Sequence, residues 1–181
     1  MRDPEIDAGT LARARAVRLV LLDVDGVLTD GSVRLGASGE EGRTFYVRDG
    51  LGIRMGQEAG LRFGILTGRE SEAVTRRAAD LHIEEVHQRV HLKADCFREI
   101  VGRLAIPGEQ VCFIGDDLID LPAMRLAGFA AAPADAAPEV LAAAHYVTRC
   151  PGGRGAVREV LDLVLRASGK WDDVIARCFP E

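Results

Sequence analysis

The 181-residue chain has no C-x-x-C pair; its four cysteines, Cys96, Cys112, Cys150 and Cys178, are scattered. Free thiols in a reducing cytoplasm are therefore expected. None of His82, His87, His91 and His145 shows a metal-ligand spacing such as H-x-x-x-H. No apolar run approaches the roughly 18 residues of a membrane span. The first residues lack the basic start, apolar middle and small-residue cleavage site of a signal peptide, so a cytoplasmic location is expected. Positive charge is also in short supply: 23 Lys and Arg against 28 Asp and Glu leave a net charge of −5. Bulk attraction to nucleic acid is not expected. A phosphorylated ligand would have to find its positive charge locally.

What remains is an ordinary globular chain. The length suits one domain with a full-sized core, spanning 1–181. Short apolar runs alternate with helical patterns, the signature of a Rossmann-like parallel sheet with helices on both faces. Strands are expected near 18–24, 61–66, 83–87, 110–114, 128–132 and 145–148. Helices are expected near 5–16, 48–59, 70–79, 92–104, 136–143 and 156–167. Residues 32–47 break the rhythm. Ser32–Leu35 and Arg43–Val47 read as two short strands around the turn cluster Gly36–Gly42, forming a β-hairpin flap. A flap here could exclude water from a phosphoryl site; an ordinary surface hairpin is the alternative. The tail, 170–181, carries the only tryptophan, Trp171.

The chemistry is carried by Leu19-Val-Leu-Leu-Asp23-Val-Asp25-Gly26-Val-Leu-Thr29-Asp30-Gly31. An apolar run stops at two carboxylates spaced i, i+2. Ligands of open α/β sheets gather at the carboxyl ends of strands. Two carboxylates so close repel unless a cation or proton intervenes, and Mg²⁺ prefers such oxygen ligands. Two more strand ends follow suit. Leu61–Leu66 ends in Thr67-Gly68-Arg69, where a hydroxyl and a glycine suit a phosphate oxygen. Gln110–Ile114 ends in Gly115-Asp116-Asp117-Leu-Ile-Asp120. Lys93 falls in the first turn of a helix, where a cation opposes the dipole unless it faces an anion. Arg69, at the start of the 70–79 helix, invites the same reading, with a substrate carboxylate as its partner and Arg77 on roughly the same face. Arg48-Asp49-Gly50-Leu-Gly52-Ile-Arg54 opens another helix. Arg48, Asp49, Gly50 and Arg54, with the adjoining Tyr46 and Val47, are candidate substrate contacts; helix capping by Asp49 and solvated arginines are the alternative. Cys150-Pro-Gly152-Gly153-Arg154-Gly155 is either an anion site at a helix start or a turn.

The run DVDGVLTDG resembles motif I of the haloacid-dehalogenase-like phosphatases. TGR resembles their motif II, Lys93 stands where motif III places its lysine, and GDDLID resembles motif IV. With RDGLGI and GGRGAVREV, the order over nearly the whole chain is similar to the 3-deoxy-D-manno-octulosonate 8-phosphate phosphatase family. That family often carries a glycine shortly before its lysine; here the segment Gln88-Arg-Val-His91-Leu has none. The resemblance implies a capless fold and hydrolysis of a phosphorylated sugar acid through an aspartyl-phosphate. Asp23 would be the nucleophile and Asp25 the proton carrier. Thr67 would bind phosphate, and Lys93 would bridge nucleophile and phosphate. Mg²⁺ would sit between Asp23, Asp116 and the backbone carbonyl of Asp25, with Asp117 and Asp120 orienting Lys93 or water. Arg48, Arg54, Arg69 and Arg77 would face the sugar carboxylate and hydroxyls. A homotetramer is implied, with no nucleic-acid or membrane partner. A 9-phosphorylated nonulosonic acid as substrate, and a non-catalytic module on the same fold, are the alternatives.

Overall fold

The computed structural model describes residues 6–37 and 41–179. Six strands form one sheet: β1 (Leu19–Leu22), β4 (Arg62–Leu66), β5 (Glu85–His87), β6 (Val111–Ile114), β7 (Phe129–Ala132) and β8 (Tyr146–Val147). Their order is β5-β4-β1-β6-β7-β8, and every pairing is parallel. β1, at the centre, is buried on both faces, as its unbroken Leu-Val-Leu-Leu run requires.

Side-chain alternation divides the core in two. Val20 and Leu22 of β1, with Cys112, Ile114, Phe63 and Ile65, face one layer. That layer is built from α1 (Ala8–Ala16), α2 (Val47–Glu58), α3 (Glu72–Asp80) and α7 (Ala156–Ala167). Leu19 and Leu21, with Val111 and Phe113, face the other. It contains α4 (Lys93–Leu104), α5 (Leu121–Met124) and α6 (Pro138–Ala143). A period of two along each strand thus serves both faces at once. Gly64 belongs to this packing, since a Cβ there would lie 2.7 Å from Leu21 Cδ2.

The hairpin after β1 is smaller than its sequence suggests. Among the described residues, β2 (Arg34–Leu35) and β3 (Glu41–Gly42) alone pair there, with Arg34 opposite Gly42. The stretch Arg43–Val47 is not its second strand: Tyr46 precedes α2 and Val47 is its first helical residue. The turn cluster at 36–42 lies partly outside the described residues. The tail folds back on its own chain as α8 (Trp171–Cys178), where fully buried Val174 joins Met55, Ala59 and Leu165. The Arg166 guanidinium lies 3.8 Å from the centroid of Trp171, a cation–π contact. All four cysteines are free, and Cys112 alone is fully buried. No helix among the described residues is long and apolar enough to cross a membrane.

Candidate active site

The carboxyl ends of β1 and β6 lie side by side, so Asp23 and Asp116 meet by construction. The Asp23 amide donates to the Ile114 carbonyl at 3.0 Å, extending the ladder one residue beyond β1. Lys93, the first residue of α4, enters from the opposite layer. Its Nζ lies 2.7 Å from Asp23 Oδ1 and 2.5 Å from Asp120 Oδ1. Asp120 is fully buried, and its Oδ2 accepts the Asp116 amide at 3.0 Å. The cation at this helix start therefore faces anions, which offsets its unfavourable place in the dipole. Asp117 turns outward and accepts the Leu118 amide at 2.7 Å. Thr67 is buried beyond β4, its amide tied to the His87 carbonyl.

Three carboxylates against one ammonium make a site short of positive charge. Burial first, and then the Asp120 charge, push the Asp23 carboxyl up to about 6 despite Lys93. Burial, with Asp23 and Asp120 nearby, pushes Asp116 up to about 8. Burial works against the charge on Lys93, yet the two carboxylates overcome it and raise its pKa. One oxygen each of Asp23, Asp116 and Asp120 falls within a 4.8 Å cluster. Asp116 Oδ1 is buried without a hydrogen-bond partner, and such an orphan acceptor is costly. A hard divalent cation fits this donor set and would satisfy that oxygen. Gly26, at φ +100°, allows the approach: a Cβ there would lie 2.0 Å from Asp116 Oδ2.

The model of the haloacid dehalogenase-like hydrolase family matches residues 52–128. The curated 3-deoxy-D-manno-octulosonate 8-phosphate phosphatase of Escherichia coli strain K12 is 46% identical over 168 residues, 93% of this chain and 89% of its own. The chain belongs to the 3-deoxy-D-manno-octulosonate 8-phosphate phosphatase family. The Yersinia pestis phosphatase structure superposes with a TM-score of 0.90 at 45% identity, over 91% of this chain and 89% of that one. The Moraxella catarrhalis phosphatase, solved with magnesium ion, phosphate ion and KDO, gives 0.91 at 37% identity, over 93% and 97%.

Beyond the carboxylates, several expected contacts in this family member lie elsewhere. Asp49 is buried, and its carboxylate accepts the Gly155 and Arg158 amides at 3.2 and 2.8 Å. It caps α7, not α2, and is the anion at that helix start. The glycine-rich run before α7 is therefore a turn in use. A Cβ on Gly152 would lie 1.8 Å from the Gly26 carbonyl oxygen, and Gly153 (φ +62°) presses on Thr29. This turn buttresses the loop that carries Asp25.

Gly50 makes room for an arginine, since a Cβ there would lie 2.2 Å from Arg77 Nη2. Arg77 pairs with Asp80 at 2.8 Å and lies 5.8 Å from the Phe45 ring centroid. Arg54 reaches Gln57 and His82 beside Arg62, at the amino end of β4, the rim opposite Asp23. It is not placed for a substrate at the carboxyl ends. Val47 is exposed at the start of α2. Tyr46 and Arg48 line a cavity of about 700 Å³ between α2, β8 and α7. Four other arginines lining it already have partners: Arg149 with Glu159, Arg154 with Asp30, Arg158 with Asp162 and Arg166 with Trp171.

Arg69 precedes α3, whose N-cap is Ser71, so the dipole argument does not apply to it. It pairs instead with Glu41 at 2.8 Å. In the segment that lacks the family glycine, Arg89 itself takes a left-handed φ of +57°. Two residues escaped the sequence reading. Arg43 grips Asp25, Nε to Oδ1 at 2.7 Å and Nη2 to Oδ2 at 3.2 Å. Glu41 lies beside both Arg43 and Arg69. Neither belongs to a motif or a periodic pattern, and charge alone did not mark them.

Proposed function

We propose that this protein hydrolyses 3-deoxy-D-manno-octulosonate 8-phosphate to the free sugar acid and phosphate, with magnesium as cofactor. The observation that carries the reading is the meeting of Asp23, Lys93, Asp116 and Asp120 at two adjacent strand ends. The chain around them is 46% identical to curated phosphatases of that substrate. A complex of a relative with magnesium, phosphate and KDO supports the same chemistry.

Asp23 attacks phosphorus in line. Its Oδ–P bond forms as the bond from phosphorus to the sugar oxygen breaks, and Asp25 gives its proton to that oxygen. Water then attacks the aspartyl-phosphate. The water oxygen bonds to phosphorus, the Asp23–phosphorus bond breaks and Asp25 takes the water proton. Phosphoryl transfer of this kind needs chiefly positioning and charge neutralisation. Lys93 holds Asp23 in place and offers charge to the phosphoryl oxygens, and the Thr67 hydroxyl donates to one of them. Asp23, Asp116 and the Asp25 carbonyl would hold magnesium, which would supply positive charge against the transferring group. Asp120 keeps Lys93 in register, as an outer partner orients an inner ligand. Arg69 and Arg77 serve the sugar carboxylate, a task suited to a planar guanidinium.

The chain works as one domain, in the cytoplasm, as a homo-oligomer. Exposed Leu35, Val47, Leu92, Leu118 and Ile119 sit on segments after β1, β5 and β6 and would be covered by neighbouring copies. Light scattering of the purified protein checks the assembly. A phosphosugar panel with magnesium tests the function. The 8-phosphate of the eight-carbon acid should give the highest kcat/KM, EDTA should abolish turnover, and preference for a 9-phosphorylated nonulosonic acid would reassign the substrate.

A further inference from the structure

Asp25 is held by a cation that no motif contains. Arg43 follows β3 directly, and its side chain is fully shielded from solvent. Its Nε and Nη2 make a two-point contact with the two oxygens of Asp25. The remaining nitrogen, Nη1, lies 3.4 Å from Glu41 Oε2, while Glu41 Oε1 accepts from Arg69 Nη2 at 2.8 Å. An alternating chain of charge, Asp25–Arg43–Glu41–Arg69, thus joins the loop after β1, the flap and the loop after β4.

Asp23 needs no such device, because the sheet fixes its backbone and Lys93 its side chain. Asp25 lies two residues further on, in the turn beyond the ladder. A guanidinium fork restrains both the position and the rotation of a carboxylate. It uses one lone pair on each oxygen and leaves the other free to carry a proton. General acid–base transfer requires the carrier within hydrogen-bond reach of its target.

We propose that Arg43 is a positioning residue for proton transfer, aiming the Asp25 carboxylate, with Glu41 bracing Arg43 from behind. The inference rests on the reading of Asp25 as the proton carrier. It makes the flap part of the acid–base apparatus, where a flap that only covers the site would act on binding.

The test uses the magnesium-loaded protein and two esters. With p-nitrophenyl phosphate the first step needs no proton: the Asp23 Oδ–phosphorus bond forms, the bond from phosphorus to the aryl oxygen breaks and p-nitrophenolate departs as an anion. The second step still needs Asp25 to take a proton from water. Arg43→Ala should therefore give a rapid burst approaching one p-nitrophenolate per site, then slow turnover, with the burst smaller or absent in the unaltered protein. On the sugar-acid phosphate, which needs the proton in both steps, kcat should fall about 10²-fold with KM nearly unchanged. Arg43→Lys, which retains one of the two contacts, should recover part of kcat. A change confined to KM, or an equal loss on both esters without a burst, overturns the proposal. If Arg43→Ala does not fold, Glu41→Gln, which weakens the contacts of Glu41 with both Arg43 and Arg69, should show the same burst with a milder slowing on p-nitrophenyl phosphate, an ester with no sugar carboxylate for Arg69 to bind, and its absence counts against the proposal. Asp25→Asn separates the two levels. Undiminished turnover there removes Asp25 as proton carrier; collapse there with Arg43→Ala unaffected removes only the role of Arg43.

Discussion

The carboxylate centre and the rim around it are built on different principles. At the centre, Asp23 is the first residue beyond β1, Asp116 the second beyond β6, and Lys93 the first of α4. The hydrogen-bonded sheet sets their separations, and burial makes every charge depend on its neighbour. At the rim, the flap pairs two residues on each side among those described, and Arg69 remains about half exposed. Rim ion pairs such as Arg69–Glu41 are individually weak in water; buried pairs are costly to break. On the function proposed above, the centre would dictate whether the reaction runs, and the rim which ester is presented to it.

The sharpest way to break this division is at the nucleophile. Asp23→Asn should lower kcat by about 10⁴-fold or more. The metal-free fold should persist, because the change removes one charge from a cluster with excess negative charge. Thermal unfolding and steady-state kinetics on one preparation check both halves. Next in size, Lys93→Met should cost about 10³-fold in kcat and leave Asp23 and Asp120 facing each other. Breaking a buried pair costs about 3 kcal/mol or more, so denaturant unfolding of metal-free protein should show the loss at pH 8 and less of it at pH 5.

Proton competition is smaller again. In metal-free protein the Asp23 and Asp116 carboxyls are raised to about 6 and about 8. Their folded values lie above the unfolded ones, so their contribution to stability is fully present near pH 4 and below. It is lost as pH rises through those two values. Magnesium must displace the same protons, so its affinity should rise with pH, by about tenfold per unit between pH 6 and 8. Titration calorimetry at two pH values measures this, and a pH-independent affinity would place the ion away from these carboxylates. The smallest effects belong to the rim. Arg69→Ala should raise KM for the sugar-acid phosphate about tenfold with kcat nearly kept, while Arg54→Ala should change neither.

The same division governs what could be read from the residues in order. The centre was legible because strand ends are marked in sequence: an apolar run, then Asp23, Thr67 or Asp116. Lys93 was found because a cation in a first helical turn is a local misfit, and it does face Asp23 and Asp120. The identical argument failed for Arg69, since α3 starts at Glu72 and Arg69 stands in the loop before it. Asp49 looked like a cap for the helix it sits in, yet it caps α7, more than a hundred residues later in the chain. Arg54 shares a face with Gly50 in a helical projection, but that projection does not say which end of the sheet the side chain reaches. Arg43 and Gly152 act through partners distant in sequence, and no local pattern encodes such contacts.

The central claim is that Asp23 accepts the phosphoryl group. Quenching the magnesium-loaded protein during turnover, reducing with borohydride and mapping the peptides by mass spectrometry tests it directly. Reduction of an aspartyl-phosphate should leave homoserine at position 23, dependent on substrate and absent in Asp23→Asn. A fully active preparation whose modification falls on another residue, or on none, would contradict the account.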